Sequence, residues 1–269
     1  MIVDSDTLLE VAWQGATAAG QLIQQSWQKP KSIEYKGAID LVTSVDRESE
    51  RLIVGTIQRY FPDHSILGEE ETIVDGRDQE YRWIIDPLDG TTNFAHGYPH
   101  FCISIAFENR GSVMMGLVYD PIRQECFKAV RDRGASLNGA TIRTSSVAQI
   151  DKALLGTGFP YDRREFADIY LGYFKAFMIR SQGIRRGGSA ALDLCYVASG
   201  RLDGFWEIKL KPWDVAAGAL IVTEAGGMLS DFLGNAFSIY GQETLASNPL
   251  IHREMVEIAS AIVKETRVD

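Results

Sequence analysis

Apolar residues recur at two spacings along this chain, and the spacings predict its helices and strands. From Leu8 onward they recur every three or four residues behind a capping-box pattern at Thr7, which predicts an amphipathic helix over residues 7–27. Residues 41–46 lead into a second helix, which has Asp46 in its first turn and ends near Pro62. Short apolar runs bounded by turn residues predict strands at 65–67, 81–85, 101–107, 113–119 and 124–129, the last three as an antiparallel meander.

The second half of the chain alternates strands and helices, which favours helices layered on a sheet. We expect a mixed α/β (α+β) chain in two halves, residues 1–145 and 146–269, that share a cleft. Polar residues 72–80 predict a loop, and residues 33–36, which include Lys36, predict a strand or ribbon. The strands of the second half are predicted at 153–157, 183–186, 203–207 and 227–230, and its helices at 164–179, 190–199, 214–225 and 249–264.

Composition narrows the class of protein. The 269 residues carry a net charge of −9, which argues against a surface that coats nucleic acid. No uncharged apolar run reaches the roughly 18 residues that a membrane span needs, and we expect no secretory leader because no basic stretch precedes an apolar run. The three cysteines sit among apolar residues, so we expect buried free thiols in a cytoplasmic protein.

The segment over residues 83–94 concentrates the candidate chemistry. Its apolar strand ends on Asp86, and Asp89 follows across a turn. Gly90 lets a ligand approach the backbone, and Thr91 begins a stretch suited to a helix start, where free N–H groups attract anions. Two metal-binding carboxylates and a phosphate cradle could thus lie together, although Asp-Pro and Asp-Gly pairs are also ordinary turn and cap chemistry.

Three other acids are candidates, each with an ordinary alternative. Asp46 lies in the first turn of the second predicted helix, where a carboxylate favours the helix dipole. Glu69 opens the acidic run Glu69-Glu70-Glu71, which is typical of a solvated face, although it follows a strand end; Glu70 is the weaker candidate of the run. Asp214 follows a proline and suits a capping acid at a helix start. The histidines and cysteines do not pair at zinc-site spacing.

Two longer strings carry a family resemblance. The string WIIDPLDGTTNF over residues 83–94, and the string WDVAAG over 213–218 followed by VTEAGG over 222–227, resemble the two signatures of the inositol monophosphatase family. The members of that family are Mg²⁺-dependent, lithium-sensitive sugar phosphatases. Residues 187–193 and 200–207 are similar to the bacterial branch in particular. The resemblance covers nearly the whole chain and implies the αβαβα layered sandwich of the carbohydrate-phosphatase fold.

The resemblance also implies a set of metal ligands. It places two to three Mg²⁺ ions in the site. One would be bound by Glu69, Asp86 and the carbonyl of Leu88, and a second by Asp86, Asp89 and Asp214. A third, weaker ion would sit near Glu69 through water.

Catalytic roles follow from the same resemblance. Thr91, oriented by Asp46, would help to deprotonate the attacking water, so the implied catalytic residues are Thr91, Asp46 and Glu69. The N–H groups of Gly90 and Thr91 would hold the phosphate oxygens.

Substrate contacts are implied for Asp89, Gly90, Thr91, Ser189, Ala190 and Glu207. A carboxylate such as Glu207 accepts hydroxyl hydrogen bonds well and would select polyols. Its ordinary alternative is an exposed acid beside Lys209 and Lys211. Arg185 and Arg186 could neutralise phosphate or face a dimer partner, and we favour a structural or interface role for both.

The resemblance therefore predicts hydrolysis of a small-molecule phosphate monoester, myo-inositol 1-phosphate before others, by a cytoplasmic homodimer. The alternatives are a phosphatase of the same fold for fructose 1,6-bisphosphate, histidinol phosphate or 3′-phosphoadenosine nucleotides. A different class is also open, because bacterial relatives associate with the transcription machinery and RNA. The acidic balance of the chain weakens direct RNA binding.

Overall fold

The computed structural model describes residues 4–27, 33–35, 41–70 and 72–266. Its helices are α1 Ser5–Ser26, α2 Ser44–Tyr60, α3 Thr91–Ala95, α4 Ala167–Met178, α5 Ala190–Ala198, α6 Pro212–Glu224 and α7 His252–Thr266, with a short 3₁₀ helix at Ile150–Lys152. Its strands are β1 Ile33–Tyr35, β2 Leu41–Thr43, β3 His64–Gly68, β4 Ile73–Val74, β5 Asp78–Asp89, β6 Cys102–Asn109, β7 Ser112–Asp120, β8 Glu125–Val130, β9 Ala135–Leu137, β10 Ala140–Thr141, β11 Leu154–Thr157, β12 Gly183–Arg185, β13 Gly204–Ile208, β14 Met228–Ser230 and β15 Glu243–Ser247.

Five layers stack in the order helix, sheet, helix, sheet, helix. Helices α1 and α2 pack on one face of an eight-stranded sheet, and α5 and α6 lie between that sheet and a five-stranded one. Helices α4 and α7 cover the outer face of the smaller sheet. Three apolar clusters fill the interfaces between these layers. The predicted αβαβα sandwich is confirmed.

The larger sheet has the strand order β10-β9-β8-β7-β6-β5-β3-β4. Strands β6, β7 and β8 pair antiparallel and confirm the predicted meander, whereas β3 and β5 pair in parallel. Alternate residues of β5 serve the two faces, because Trp83 and Ile85 pack toward α1 and α2 while Ile84 packs toward α5 and α6. The central strand is therefore buried on both sides.

The smaller sheet is mixed, with the order β12-β11-β13-β15-β14. Strand β11 is parallel to both β12 and β13, and β15 is antiparallel to β13 and β14. Helix α6 is buried continuously from Val215 to Val222 because it lies between two sheets. A helix in that position needs apolar residues all round rather than on one stripe.

Several local predictions are wrong, each for a physical reason. Helix α1 begins earlier than predicted, because Asp4 caps it by accepting a hydrogen bond from the Thr7 N–H at 3.2 Å. The polar stretch 72–80 is not simply a loop: it contains β4, which pairs with β3, and the first residues of β5. Strand β5 continues past the predicted end at Ile85 to Asp89.

The remaining predictions concern two single residues, the cysteines and membrane-spanning helices. Lys36 and Glu71 lie outside the described residues. The three cysteines are free and buried, as expected. In the part of the chain that the structure describes, no helix is both long and apolar enough to span a bilayer.

Candidate active site

A bulge near the end of β5 brings two aspartates to one edge of the large sheet. Asp86 pairs with Ser104 of β6, whereas Asp89 pairs with Cys102, so β5 uses one more residue than β6 over this interval. The Asp86 Oδ1 accepts a hydrogen bond from the Leu88 N–H at 2.9 Å, which holds the intervening turn. Because the strand continues through the turn, both carboxylates stay anchored to the sheet.

The parallel neighbour of β5 places Glu69 beside Asp86. Strand β3 stays in register with β5 up to the pair Gly68 and Ile85. The next N–H, that of Glu69, donates to the Ile85 carbonyl at 3.1 Å. Since parallel strands end at the same edge of a sheet, the residues that follow the two strands become neighbours.

Helix α6 brings a fourth acid from the middle layer. Ser104, which lies opposite Asp86 in the sheet, donates to the Trp213 carbonyl at 3.1 Å and fixes the first turn of α6 over the sheet edge. Asp214 Oδ2 accepts from the Lys211 N–H at 2.7 Å and therefore caps its own helix. The capping role and a position at the site are both satisfied.

Negative charge accumulates around Asp86. Its side chain is 1 % exposed. Burial raises the pKa of Asp86 well above its ordinary value, and the negative charges of Glu69, Asp89 and Asp214 raise it further. A positive charge placed close to Asp86 would oppose this rise and favour the ionised carboxylate.

Asp89 is oriented by the start of α5. Its Oδ2 accepts from the Ser189 hydroxyl at 2.6 Å and from the Ala191 N–H at 2.8 Å. Burial raises the pKa of Asp89 to about 6, and the two hydrogen bonds act against that rise. Ser189 is 1 % exposed, so its hydroxyl orients Asp89.

The turn after Asp89 depends on a glycine. Gly90 has φ = +99°, and a Cβ there would lie 2.9 Å from the His100 carbonyl oxygen. The next residue, Thr91, donates its hydroxyl toward Asp46 Oδ1 at 2.8 Å, with the Leu88 carbonyl oxygen at 3.1 Å. Asp46 is fully buried on α2, so this contact is shielded from solvent.

One cavity of about 460 Å³ gathers these groups. Every residue predicted to bind metal or substrate lines it, and Asp46 lies behind Thr91. Its floor, as we use the word, is the end of β3 and β5: Glu69, Asp86, Leu88, Asp89, Gly90 and Thr91. Its wall is the opposing lining: residues 158–161, Arg163, Arg186 and residues 207–211. Residues 188–190, Trp213 and Asp214 join the two.

Glu207 stands in the wall at the end of β13. A Cβ on Gly158 would lie 2.1 Å from Glu207 Oε2, so this carboxylate packs directly against the backbone of the neighbouring loop. Burial raises the pKa of Glu207 well above its ordinary value, and the charge of Arg186 counteracts the rise. The interpretation of Glu207 as an exposed acid paired with Lys209 is wrong, because Lys209 is ion-paired with Asp162 and lies over the Phe166 ring.

The wall also contains residues that the sequence analysis did not assign to the site. Arg186 lines the cavity, against our expectation of a structural or interface role, while Arg185 is exposed and donates to the Ile184 carbonyl at 3.1 Å. Arg163 and Tyr161 line the same side. Of the two roles considered for Arg186, its place in the cavity lining favours the one toward phosphate, and its position immediately before the Gly-Gly-Ser string was the signal for that choice.

The acids that line the cavity do not converge on a single point. Within the described ranges, no three His, Cys, Asp or Glu side chains are arranged so that they could hold one metal ion. Instead Asp86, Asp89 and Asp214 each turn one oxygen toward a backbone N–H. Their chemistry, four crowded carboxylates with a buried member, is that of a site for a hard divalent cation, which would relieve the repulsion.

Comparison with known proteins places the chain in a family. The inositol monophosphatase family model matches residues 4–266. The chain is 44% identical over 251 residues to the Nus factor SuhB of Escherichia coli, covering 93% of this chain and 94% of that one. It is 46% identical over 259 residues to the inositol-1-monophosphatase of Synechocystis, covering 96% and 90%. The solved inositol monophosphatase of Anabaena superposes with a TM-score of 0.87 at 41% identity, covering 95% and 96%. The protein belongs to the inositol monophosphatase family.

Proposed function

We propose that this protein hydrolyses myo-inositol 1-phosphate to inositol and inorganic phosphate in a Mg²⁺-dependent reaction. Family membership supports phosphatase activity. The observation that carries the proposal is the floor, where three carboxylates lie beside the Thr91–Asp46 pair, with Asp214 as a fourth carboxylate in the same cavity. A cavity of about 460 Å³ also suits a small polyol ester.

The donor set fits Mg²⁺, and the family is generally metal-dependent. Glu69, Asp86, Asp89, Asp214 and the Leu88 carbonyl would supply the hard oxygen ligands for two to three ions. When bound, Mg²⁺ would lower the pKa of a bound water and stabilise the developing charge on the oxygen that leaves. The crowded carboxylates would supply the negative charge that binds the cation, and the cation would in turn attract the anionic substrate.

Proton transfer is assigned to Thr91 and Asp46, with Glu69 on the other side of the attacking water. Thr91 already directs its hydroxyl hydrogen toward Asp46 Oδ1 at 2.8 Å, so its oxygen lone pairs are free to face the cavity. The attacking water would give its proton to the Thr91 oxygen while Thr91 passes its own toward Asp46. The water oxygen then bonds to phosphorus as the ester P–O bond breaks, and the inositol oxygen that leaves takes a proton from solvent water, while the proton passed to Asp46 returns to solvent.

Substrate contacts divide between the floor and the wall. The N–H groups of Gly90 and Thr91 would hold the phosphate oxygens. Asp89 and Glu207 would accept hydrogen bonds from ring hydroxyls, with Ala190 between them. Ser189 would act by orienting Asp89. The site thus takes its floor from residues 1–145 and its wall from residues 146–269, the two halves that we propose.

Phosphate release from a panel of esters under Mg²⁺ titration tests this proposal. The panel holds myo-inositol 1-phosphate, fructose 1,6-bisphosphate, histidinol phosphate and 3′-phosphoadenosine 5′-phosphate. We expect preference for the inositol ester, loss of activity with chelator and inhibition by Li⁺. Preference for another ester would replace the substrate and keep the site, whereas metal-independent release would contradict the mechanism.

A second candidate function is suggested by the relatives. Several of them are named Nus factor, at 43–48% identity, which supports a partner in the transcription machinery. Binding of purified RNA polymerase, measured for wild type and for Arg185→Ala, tests this role, because Arg185 is exposed and Arg186 rather than Arg185 lines the cavity. Loss of binding with unchanged phosphate release would support it, and absence of wild-type binding would remove it.

Two further parts of the proposal concern assembly and location. We propose a homodimer by analogy with the family, which sedimentation equilibrium would test. Three buried free thiols suit a reducing compartment, so a cytoplasmic location accompanies the proposal. Fractionation with an antibody to the chain would check the location.

A further inference from the structure

Helix α2 buries two carboxylates, one turn apart, on the side that faces the cavity floor. Asp46 is fully buried and accepts from Thr91. Glu50, four residues later, is 3 % exposed and accepts a hydrogen bond from the Glu70 N–H, just after the end of β3. Residues four apart lie on the same face of a helix, so one helix addresses the segments after both β3 and β5.

The segment that Glu50 contacts is the turn between β3 and β4. The Gly68 N–H donates to the Thr72 carbonyl at 2.8 Å and closes this turn. Glu69 begins the turn, and its own N–H is tied to the Ile85 carbonyl at 3.1 Å. Hydrogen bonds to the Thr72 carbonyl and to the Ile85 carbonyl therefore hold the backbone at Gly68 and Glu69.

The Glu50 carboxylate sits inside that turn as an anion among N–H and O–H donors. Its Oε2 accepts from the Glu70 N–H at 3.0 Å, and its Oε1 accepts from the Thr72 N–H at 3.2 Å and from the Thr72 hydroxyl at 2.5 Å. Gly68 makes the contact possible, because a Cβ there would lie 2.3 Å from Glu50 Oε2. Charge-assisted bonds of this kind are stronger than neutral ones.

We propose that Glu50 is a positioning residue that fixes the turn carrying Glu69 and thereby the ligand set for Mg²⁺. The inference rests on the proposed function, in which Glu69 binds the ion. Glu50 acts through its hydrogen bonds to Glu70 and Thr72 rather than by touching the ion or the substrate. Side chains that orient metal ligands from behind are worth about 10–100-fold in metal affinity in other proteins.

Glu50→Gln tests the inference, because the amide nitrogen of glutamine cannot accept a hydrogen bond. One side of the turn then loses its acceptor at almost unchanged volume. We expect the calorimetric Kd for Mg²⁺ to rise about tenfold. Amide hydrogen exchange at Glu70 and Thr72 should be faster in the Mg²⁺-free protein. At saturating Mg²⁺, kcat and the KM for the ester should return near wild type.

Glu224→Gln is the matched control. Glu224 also lies on a helix and also accepts from two backbone amides of a turn, those of Asp132 at 2.9 Å and Gly134 at 2.8 Å. Its change should lower stability without changing Mg²⁺ affinity. Thr72→Val, which removes one hydroxyl donor to Glu50, should weaken Mg²⁺ binding less than Glu50→Gln and decides the matter if Glu50→Gln does not fold.

The outcomes separate this inference from the proposed function. Wild-type Mg²⁺ affinity in Glu50→Gln and Thr72→Val would overturn the positioning role, whatever their stability. Wild-type protein that binds Mg²⁺ but releases phosphate from no ester would overturn the proposed function, and the affinity of Glu50→Gln would still decide the role of Glu50. Wild-type protein that binds no Mg²⁺ would overturn both.

Discussion

The floor and the wall of the cavity are built from different kinds of structure. The floor consists of strand ends whose positions follow from sheet register, and its working groups are buried: Asp86 is 1 % exposed and Thr91 is 6 % exposed. Most of the wall consists of loop residues, among which Tyr161 is 51 % exposed. The two surfaces face each other across one cavity.

The difference suggests that catalysis depends on the floor and substrate choice on the wall. Because sheet register fixes the floor, its carboxylates stay in place. A metal site requires ligands that are held rigidly in this way. A wall of loops can change shape without disturbing the sheet beneath it. We therefore expect changes in the floor to abolish turnover and changes in the wall to redirect it.

The largest effect is expected from Asp86→Asn. This change removes a ligand that two proposed ions share, and a loss of about 4 kcal/mol or more in transition-state stabilisation would lower phosphate release about 10³-fold. Because the raised pKa of Asp86 costs stability at neutral pH, where the unfolded chain ionises this group, the Mg²⁺-free Asn variant should unfold at a temperature no lower than that of wild type. Phosphate release and thermal unfolding measure the two parts.

Asp120→Asn is the matched control for that experiment. Asp120 is also a buried strand-end aspartate whose Oδ1 accepts from following N–H groups, those of Ile122 and Arg123, both at 2.9 Å. It should lose about 1–3 kcal/mol of stability and keep its activity. Equal losses of activity in Asp86→Asn and Asp120→Asn would show that the effect is structural. The floor would then have no particular role in catalysis.

The next effect concerns proton transfer at Thr91. Thr91→Val keeps the shape and removes the hydroxyl, so kcat should fall about 10²–10⁴-fold while the Mg²⁺ affinity stays unchanged. Thr91→Ser keeps the hydroxyl and should retain most activity. Steady-state kinetics at saturating Mg²⁺ measure this, and an active Thr91→Val enzyme would contradict the role given to the pair with Asp46.

Changes in the wall should be smaller and should affect substrate choice. Glu207→Gln weakens hydrogen bonds to ring hydroxyls and should raise the KM for the inositol ester about tenfold, with kcat and Mg²⁺ affinity little changed. Gly158→Ala should act in the same direction, because its Cβ would displace the Glu207 carboxylate. Comparison of KM across the ester panel measures the shift. A collapse of kcat in either variant would mean that the wall takes part in the chemistry.

The smallest effect is a pH dependence of stability in Mg²⁺-free protein. The pKa of Asp89 is about 6 in the folded chain against an ordinary 3.8, so the folded state holds this proton more tightly than the unfolded state. The stabilisation is therefore full below about pH 4 and is lost as pH rises through about 6; the raised pKa values of Asp86 and Glu207 act in the same direction. Tm should fall by a few degrees over that range, and saturating Mg²⁺ should reverse the trend. A Tm that rises with pH without Mg²⁺ would contradict the crowding of acids at the floor.

The same contrast explains what the sequence could predict. The five-layer order and the roles of the site residues were implied by the family resemblance. Most helices and strands, and the grouping of Asp86, Asp89 and Thr91, followed from apolar runs and from a local string. The bulge that carries β5 through Pro87 to Asp89 did not, because proline normally interrupts a strand and only pairing with β6 shows that this one continues. The polar start of β5 and the cap at Asp4 were missed for a similar reason, since both depend on a partner rather than on periodicity.

The wall was less predictable because its members come together only through packing. The charge of Arg186 acts on Glu207 within the wall, although no spacing in the chain links the two residues. Glu50 was also missed, because a glutamate in an amphipathic helix is usually solvated, and its burial depends on the turn after β3. The sequence analysis thus identified the strand-end acids and, through the family resemblance, the pairing of Thr91 with Asp46, but it missed Glu50 behind the turn after β3.

The place of α6 between the two sheets has a consequence for how the protein is made. Ribosomes add about 5–20 residues per second, so the acids of β3 and β5 emerge several seconds before Asp214. Helix α6 is buried along most of its length and gains its full environment only when the smaller sheet exists to cover it. A nascent chain therefore carries Glu69, Asp86 and Asp89 before Asp214 has been made, so the proposed metal site can be complete only when synthesis is nearly finished.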